Sequence, residues 1–198
     1  MNYKFLSVDL QNDFATEGGK HYKIRPSVNF DKEVLFPFLK ERQIKIGEII
    51  SDYRQPRPGD LDESCVPGSW GYESIVPKEI VKSQWIKCMN SPIWVRDNIG
   101  NPSKDPGLPY QDPPAFGEWI TQNIGKPNEV VPILFGLTID CCVLSTLQEL
   151  NWRGYYPLVL KEAVDHYLGT EEAKQAIFAS PISNWGEVIN WSDLRNKF

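Results

Sequence analysis

The stretch Val130 to Ile139 (VVPILFGLTI) constrains the fold more than any other part of the chain. It is the most apolar run in the sequence, well short of the ~18 residues that cross a bilayer and suited to a strand buried on both faces. It therefore reads as a central strand that breaks at Gly136. Other short apolar runs flank it on either side. Tyr3 to Asp9 (YKFLSVD), Lys45 to Ser51 (KIGEIIS) and Gln84 to Cys88 (QWIKC) precede it, while Tyr156 to Lys161 and Gly186 to Asn190 follow. Between them lie segments of helical spacing. Asp31 to Arg42 places Val34, Leu35, Phe38 and Leu39 on one side with Asp31 as a cap, although Pro37 interrupts it. Cys142 to Arg153 places Val143, Leu147 and Leu150 on one face and ends before Gly154, and Thr170 with Glu171 and Glu172 opens a further helix. Strands alternating with helices predict a three-layer α/β/α fold around a mostly parallel, doubly wound sheet, with its site at the carboxyl ends of the strands.

At 198 residues, 41% hydrophobic and 24% charged, the chain suits one folded domain spanning residues 1–198. Its formal charge of −5 and the lack of any lysine or arginine run argue against nucleic acid as a partner. No run suits a membrane span, and the opening MNYKFLSVDLQNDF lacks the basic head and long apolar stretch of a signal peptide, so a cytoplasmic protein is expected. In that compartment the four cysteines (Cys65, Cys88, Cys141, Cys142) are expected as thiols. Two histidines, His21 and His166, leave little room for histidine-based metal chemistry. Residues 53–71 and 101–114, rich in Pro and Gly, read as long loops: lids, binding surfaces or proline-stiffened surface excursions.

Three polar residues fall at strand ends: Asp9, Lys87 and Cys142. A cysteine in the first turn of a helix lies where backbone N–H groups and the helix dipole favour its thiolate. A carboxylate beside it can take the proton, and an ammonium can stabilise the anion. Taken singly, Asp9 also suits a turn cap, Lys87 a solvated charge and Cys142 a small buried apolar residue.

Together the motifs resemble those of the isochorismatase-like cysteine hydrolases, which include nicotinamidases and N-carbamoylsarcosine amidohydrolases. VDLQNDF (Val8 to Phe14) is similar to the D-x-Q-x-D-F opening of that family. WIKCMNS (Trp85 to Ser91) looks like its lysine strand, and GLTIDCCVLST (Gly136 to Thr146) like G-x-x-T-D-x-C-V. CVPGSWG (Cys65 to Gly71) and RGY (Arg153 to Tyr155) add support, in the family's order from residue 8 to about 165. The resemblance implies a Rossmann-like fold and a catalytic set of Asp9, Lys87 and Cys142, with Cys142 rather than Cys141 as nucleophile. It also implies a cis peptide at Leu137-Thr138, with the N–H groups of Thr138 and Cys142 as oxyanion donors worth roughly 3 kcal/mol each. A homo-oligomer is expected by resemblance alone.

The departures narrow the expected activity. The nicotinamidase branch holds a metal through an aspartate and two histidines, the first in D-x-H. Here Asp52 is present but Arg54 stands at the histidine position, so no metal or other cofactor is expected. A cysteine at position 142 favours C–N cleavage over the vinyl-ether chemistry of isochorismatases. Ile139 replaces the family threonine before Asp140. The expectation is a metal-independent hydrolase of a small carboxamide or ureido compound. Phe14, Trp70 and Trp94 are candidate pocket walls, and Arg54 and Arg96 candidate partners for a substrate carboxylate. His21 is expected in a loop or at the pocket, and His166 at the surface or a strand end. Two other readings stand beside it: a vicinal-thiol redox or metal pair at Cys141-Cys142, and a non-catalytic family member whose loops bind a protein.

Overall fold

The computed structural model describes residues 2–54 and 62–198. A six-stranded, wholly parallel sheet runs through its middle in the order β3-β2-β1-β6-β7-β8. The strands are β1 (Asn2–Val8), β2 (Ile46–Ser51), β3 (Val81–Lys87), β6 (Val130–Leu137), β7 (Leu158–Asp165) and β8 (Glu187–Ile189). Each expected strand is present. β3 starts three residues before Gln84, β7 is displaced toward the C-terminus, and β6 continues through Gly136 to Leu137 instead of breaking there. Gly136 absorbs the irregularity with a φ of 115° and a shift of register against β7.

Alternate residues of the strands feed two cores. Phe5, Ile133, Phe135 and Leu160 face one layer with Leu35, Phe36, Phe38 and Leu39. Leu6, Leu134 and Val159 face the other, with Phe116, Ile120, Val143, Leu147, Leu150 and Phe178. The first layer is one run of helix made of α2 (Pro26–Phe30), a π turn (Asp31–Leu35) and α3 (Phe36–Glu41), preceded by the single turn α1 (Asn12–Ala15). It begins five residues before the expected start. Asp31 is consequently no cap but a fully buried residue inside the helix, and Val34 is exposed. The π turn lets the chain run through Pro37 at the opening of α3, where a missing N–H costs no helical bond. The second layer holds α4 (Pro113–Asn123), α5 (Cys142–Trp152) and α6 (Glu171–Ala179). Thr170 caps α6 through Ala173 N–H, and the short α7 (Trp191–Arg195) closes the chain.

The excursion at 101–114 differs from a plain loop. Trp94–Val95 (β4) and Tyr110–Gln111 (β5) pair antiparallel, and Asp112 then caps α4, whose first turn holds Pro113 and Pro114. Proline is tolerated there because those N–H groups have no helical partner. Part of the 53–71 loop, residues 55–61, lies outside the described residues. No described helix is long and apolar enough to cross a membrane.

Candidate active site

The sheet order reverses between β1 and β6, opening a crevice at their carboxyl ends. Asp9 follows β1, Lys87 ends β3 and Cys142 opens α5 beyond β6, so three sequence-distant residues converge there. Asp9 has a φ of 50°, a left-handed conformation uncommon for a residue with a side chain. Gln11 ties this strand end to its neighbours: its amide donates to Ser51 O and Tyr72 O, and its Oε1 accepts from Ser51 N–H. Asp13 accepts from the N–H groups of Lys20 and Cys65. A side chain on Gly71 would collide with that carboxylate, which explains the glycine after Trp70.

The Lys87 ammonium is fully buried. Its Nζ lies 2.8 Å from Asp9 Oδ2, 2.7 Å from Ser51 Oγ, 2.8 Å from Tyr53 OH and 3.4 Å from Cys142 Sγ. Ser51 donates in turn to Asp9 Oδ1 at 2.8 Å. Burial opposes the lysine's charge, yet Asp9, Cys142 and Tyr53 hold its pKa well above the usual range. Burial and then Asp9 push the Cys142 thiol up to about 12, against the pull of Lys87 and Tyr53. The resting form is a thiol with a carboxylate at hand. Leu137-Thr138 is cis, as expected. The N–H groups of Cys141 and Val143 both donate to the Thr138 carbonyl. The N–H of Cys142, at the first position of α5, is among the donors that a helix start leaves open.

A cavity of about 710 Å³ opens onto Cys142, within the range of small-molecule sites. Phe14 and Trp94 line it, as do Leu137, Thr138, Asp140 and Cys141. His21 lines it too, stacked on Phe14 at 5.3 Å, and His166 sits just past β7 against Asp140. Tyr53, Asn90, Ser91, Ser145 and Tyr167 add polar groups to its wall.

Three expected pocket residues lie elsewhere. Trp70 is half exposed and outside the lining. Arg96 is buried, donates to the Gly107 carbonyl and lies against Cys88. Arg54 places Nε and Nη2 on the two oxygens of Asp52 and its remaining N–H groups on the carbonyls of Asn98, Asn101 and Lys104. Its five donors are thus all taken inside the protein. Asp52 Oδ2 also accepts the N–H of Gly100. With guanidinium on both Asp52 oxygens, these residues do not fit the metal site of the nicotinamidase branch. Among the described residues no group of three or more His, Cys, Asp or Glu could hold a metal ion. None of residues 101–114 lines the cavity; the segment is a surface excursion held from below by Arg54.

Two contributors escaped sequence reasoning. Tyr53 sits in a Pro-rich string, and its place two residues past the end of β2, close to where Asp9 follows β1, was the available signal. Arg25 is buried and donates to the carbonyls of Phe14, His21 and Tyr167, joining opposite walls of the cavity. Nothing in the sequence around it distinguishes it from a surface charge.

Solved structures share this architecture. An isochorismatase-like hydrolase from Alkaliphilus metalliredigens superposes with a TM-score of 0.70 at 16% identity, covering 100% of this chain and 99% of that one. The fold is that of the isochorismatase-like hydrolases. A nicotinamidase/pyrazinamidase from Bacillus subtilis is similar to this chain at TM-score 0.64 and 16% identity, over 95% and 99% of the two chains. An N-carbamoylsarcosine amidase from Thermoplasma acidophilum is similar at 0.59 and 16%, over 96% of each. No protein-family model matches the sequence, and no curated protein matches it.

Proposed function

We propose that the protein is a cysteine hydrolase that cleaves the C–N bond of a small carboxamide or ureido compound carrying no carboxylate. The observation that carries this reading is the convergence of Cys142 Sγ, Lys87 Nζ and Asp9 in a buried cluster at the floor of the cavity. Asp9 takes the thiol proton as Cys142 Sγ bonds to the carbonyl carbon. The developing oxyanion is met by the N–H groups of Thr138 and Cys142. When the C–N bond breaks, Asp9 returns the proton to the departing nitrogen, leaving a thioester, or a thiocarbamate from a ureido compound. Water then attacks that carbonyl and gives a proton to Asp9, the C–S bond breaks, and Asp9 passes the proton to the sulfur as the carboxylic or carbamic acid leaves. Lys87 stays charged throughout and holds the carboxylate beside the sulfur.

The uncharged substrate follows from the walls. Both arginines that would have suited a carboxylate lie outside the cavity lining, Arg54 with every N–H on an internal oxygen and Arg96 buried with Nη1 on the Gly107 carbonyl, whereas aromatic rings and the Asn90 amide face the cavity. An ammonia-release screen of neutral amides, ureido compounds and their carboxylate-bearing analogues tests this. The neutral compounds turn over, Cys142→Ala lowers the rate at least ~10⁴-fold, and Cys141→Ala keeps it within about threefold. Equal loss in both variants would contradict the choice of nucleophile.

A further inference from the structure

The protons of the buried cluster can be counted. An ammonium has three, and three oxygens surround Lys87 Nζ at 2.7 to 2.8 Å: Asp9 Oδ2, Ser51 Oγ and Tyr53 OH. The sulfur of Cys142, at 3.4 Å, is a fourth acceptor for a donor that has only three protons. The Ser51 hydroxyl proton is spent on Asp9 Oδ1. Asp9 accepts only. Asn90 presents its Oδ1 to Sγ at 3.6 Å, an acceptor suited to a thiol and unsuited to a thiolate.

Tyr53 differs from all of these. Its oxygen accepts from Lys87, so its O–H acts as a donor. Two acceptors lie within reach of that proton: the Met89 carbonyl at 3.3 Å and Cys142 Sγ at 3.4 Å. We infer that Tyr53 is a catalytic hydrogen-bond donor whose O–H turns from the Met89 carbonyl to Cys142 Sγ when the thiol gives its proton to Asp9. The phenol keeps its proton throughout. Only the S–H bond breaks, and the hydrogen of the phenol follows the charge. With its charge drawn on by Lys87, the phenol is a stronger donor than an isolated tyrosine. Tyr53 also forms part of the cavity wall, edge-on to Phe14 at 6.4 Å.

The purpose of this contact rests on the hydrolase reading, but its test does not require turnover. Alkylation of Cys142 by iodoacetamide is followed by tandem mass spectrometry between pH 7 and 8, where the thiolate is a small fraction and the phenol keeps its proton, with the buried Cys65 and Cys88 in the same digest reporting whether the fold is intact. In Tyr53→Phe the second-order rate falls about tenfold, as the loss of one donor to a thiolate requires. A 3-fluorotyrosine at position 53, a more acidic phenol of nearly the same shape, raises the rate at pH 7 and decides the matter if Tyr53→Phe fails to fold. Unchanged rates in the folded variants would overturn the inference even if the wild type hydrolyses amides. A rate lowered by Tyr53→Phe in a protein that hydrolyses none of the compounds screened would uphold it and sink the hydrolase reading instead.

Discussion

Lys87 with Asp9 and Arg54 with Asp52 are two buried ion pairs at one end of the sheet, 2.8 and 2.7 Å across, joined by the Asp52 N–H on the Lys87 carbonyl. Their surroundings differ in one respect. Arg54 matches five N–H groups to five oxygens, three of them main-chain carbonyls of the 98–104 segment, and none of these faces the cavity. Lys87 has four acceptors for three protons, and the fourth is a sulfur on the cavity wall. A closed set of partners makes a clamp. An oversubscribed one leaves a group whose state can change, which is what chemistry needs from a buried charge.

Removing each cation in turn tests this contrast. Lys87→Met is expected to lower turnover at least ~10³-fold, because the anionic sulfur loses its counter-charge, and to destabilise the protein by about 3–5 kcal/mol through the stranded Asp9. Turnover and denaturant midpoints measured on the same preparation give both numbers. Arg54→Ala carries a similar cost of about 3–5 kcal/mol, since Asp52 is left buried and unpaired, yet the folded fraction retains turnover within about tenfold. Arg54→Lys recovers only part of that loss, a point charge being unable to reproduce a planar fork. If Arg54→Ala abolished turnover in fully folded protein, the two pairs would no longer be distinct.

The smallest effect is in alkali. Cys142 has its pKa raised from 9.0 to about 12, so the stability it contributes is complete below 9.0 and lost as pH rises toward 12. Lys87, raised above 10.5, acts in the same direction: its contribution holds below 10.5 and fades above it. Urea midpoints are expected to fall between pH 9 and 12 in the wild type and to fall less steeply in Cys142→Ala. Parallel slopes in the two proteins would detach the thiol from the buried network.

Asp9, Lys87 and Cys142 were legible in the sequence because each terminates a buried strand or starts the helix after one, and strand ends of a parallel sheet converge. Arg54 and Arg96 were misplaced because a positive charge in a loop looks the same whether it points at a ligand or at its own backbone. Only the path of residues 98–107 decides that, and loop paths are set by contacts far apart in the chain. The helix α4 was hidden for a local reason, since Pro113 and Pro114 read as turn residues unless Asp112 is recognised as a cap. Tyr53 was hidden by the prolines that follow it. In each case what the sequence lacks is the identity of the partner, not the chemistry of the residue.

Gly136 sits where a side-chain carbon would lie 2.1 Å from the carbonyl oxygen of Val8, the residue before Asp9. The strand that delivers the acid and the strand that leads to the nucleophile therefore touch main chain to main chain. The spacing between proton acceptor and sulfur is consequently inherited from the backbone, so the walls at Phe14, Trp94 and Tyr167 are open to exchange without retuning it. A lineage built on this arrangement is free to change what it recognises while keeping how it reacts.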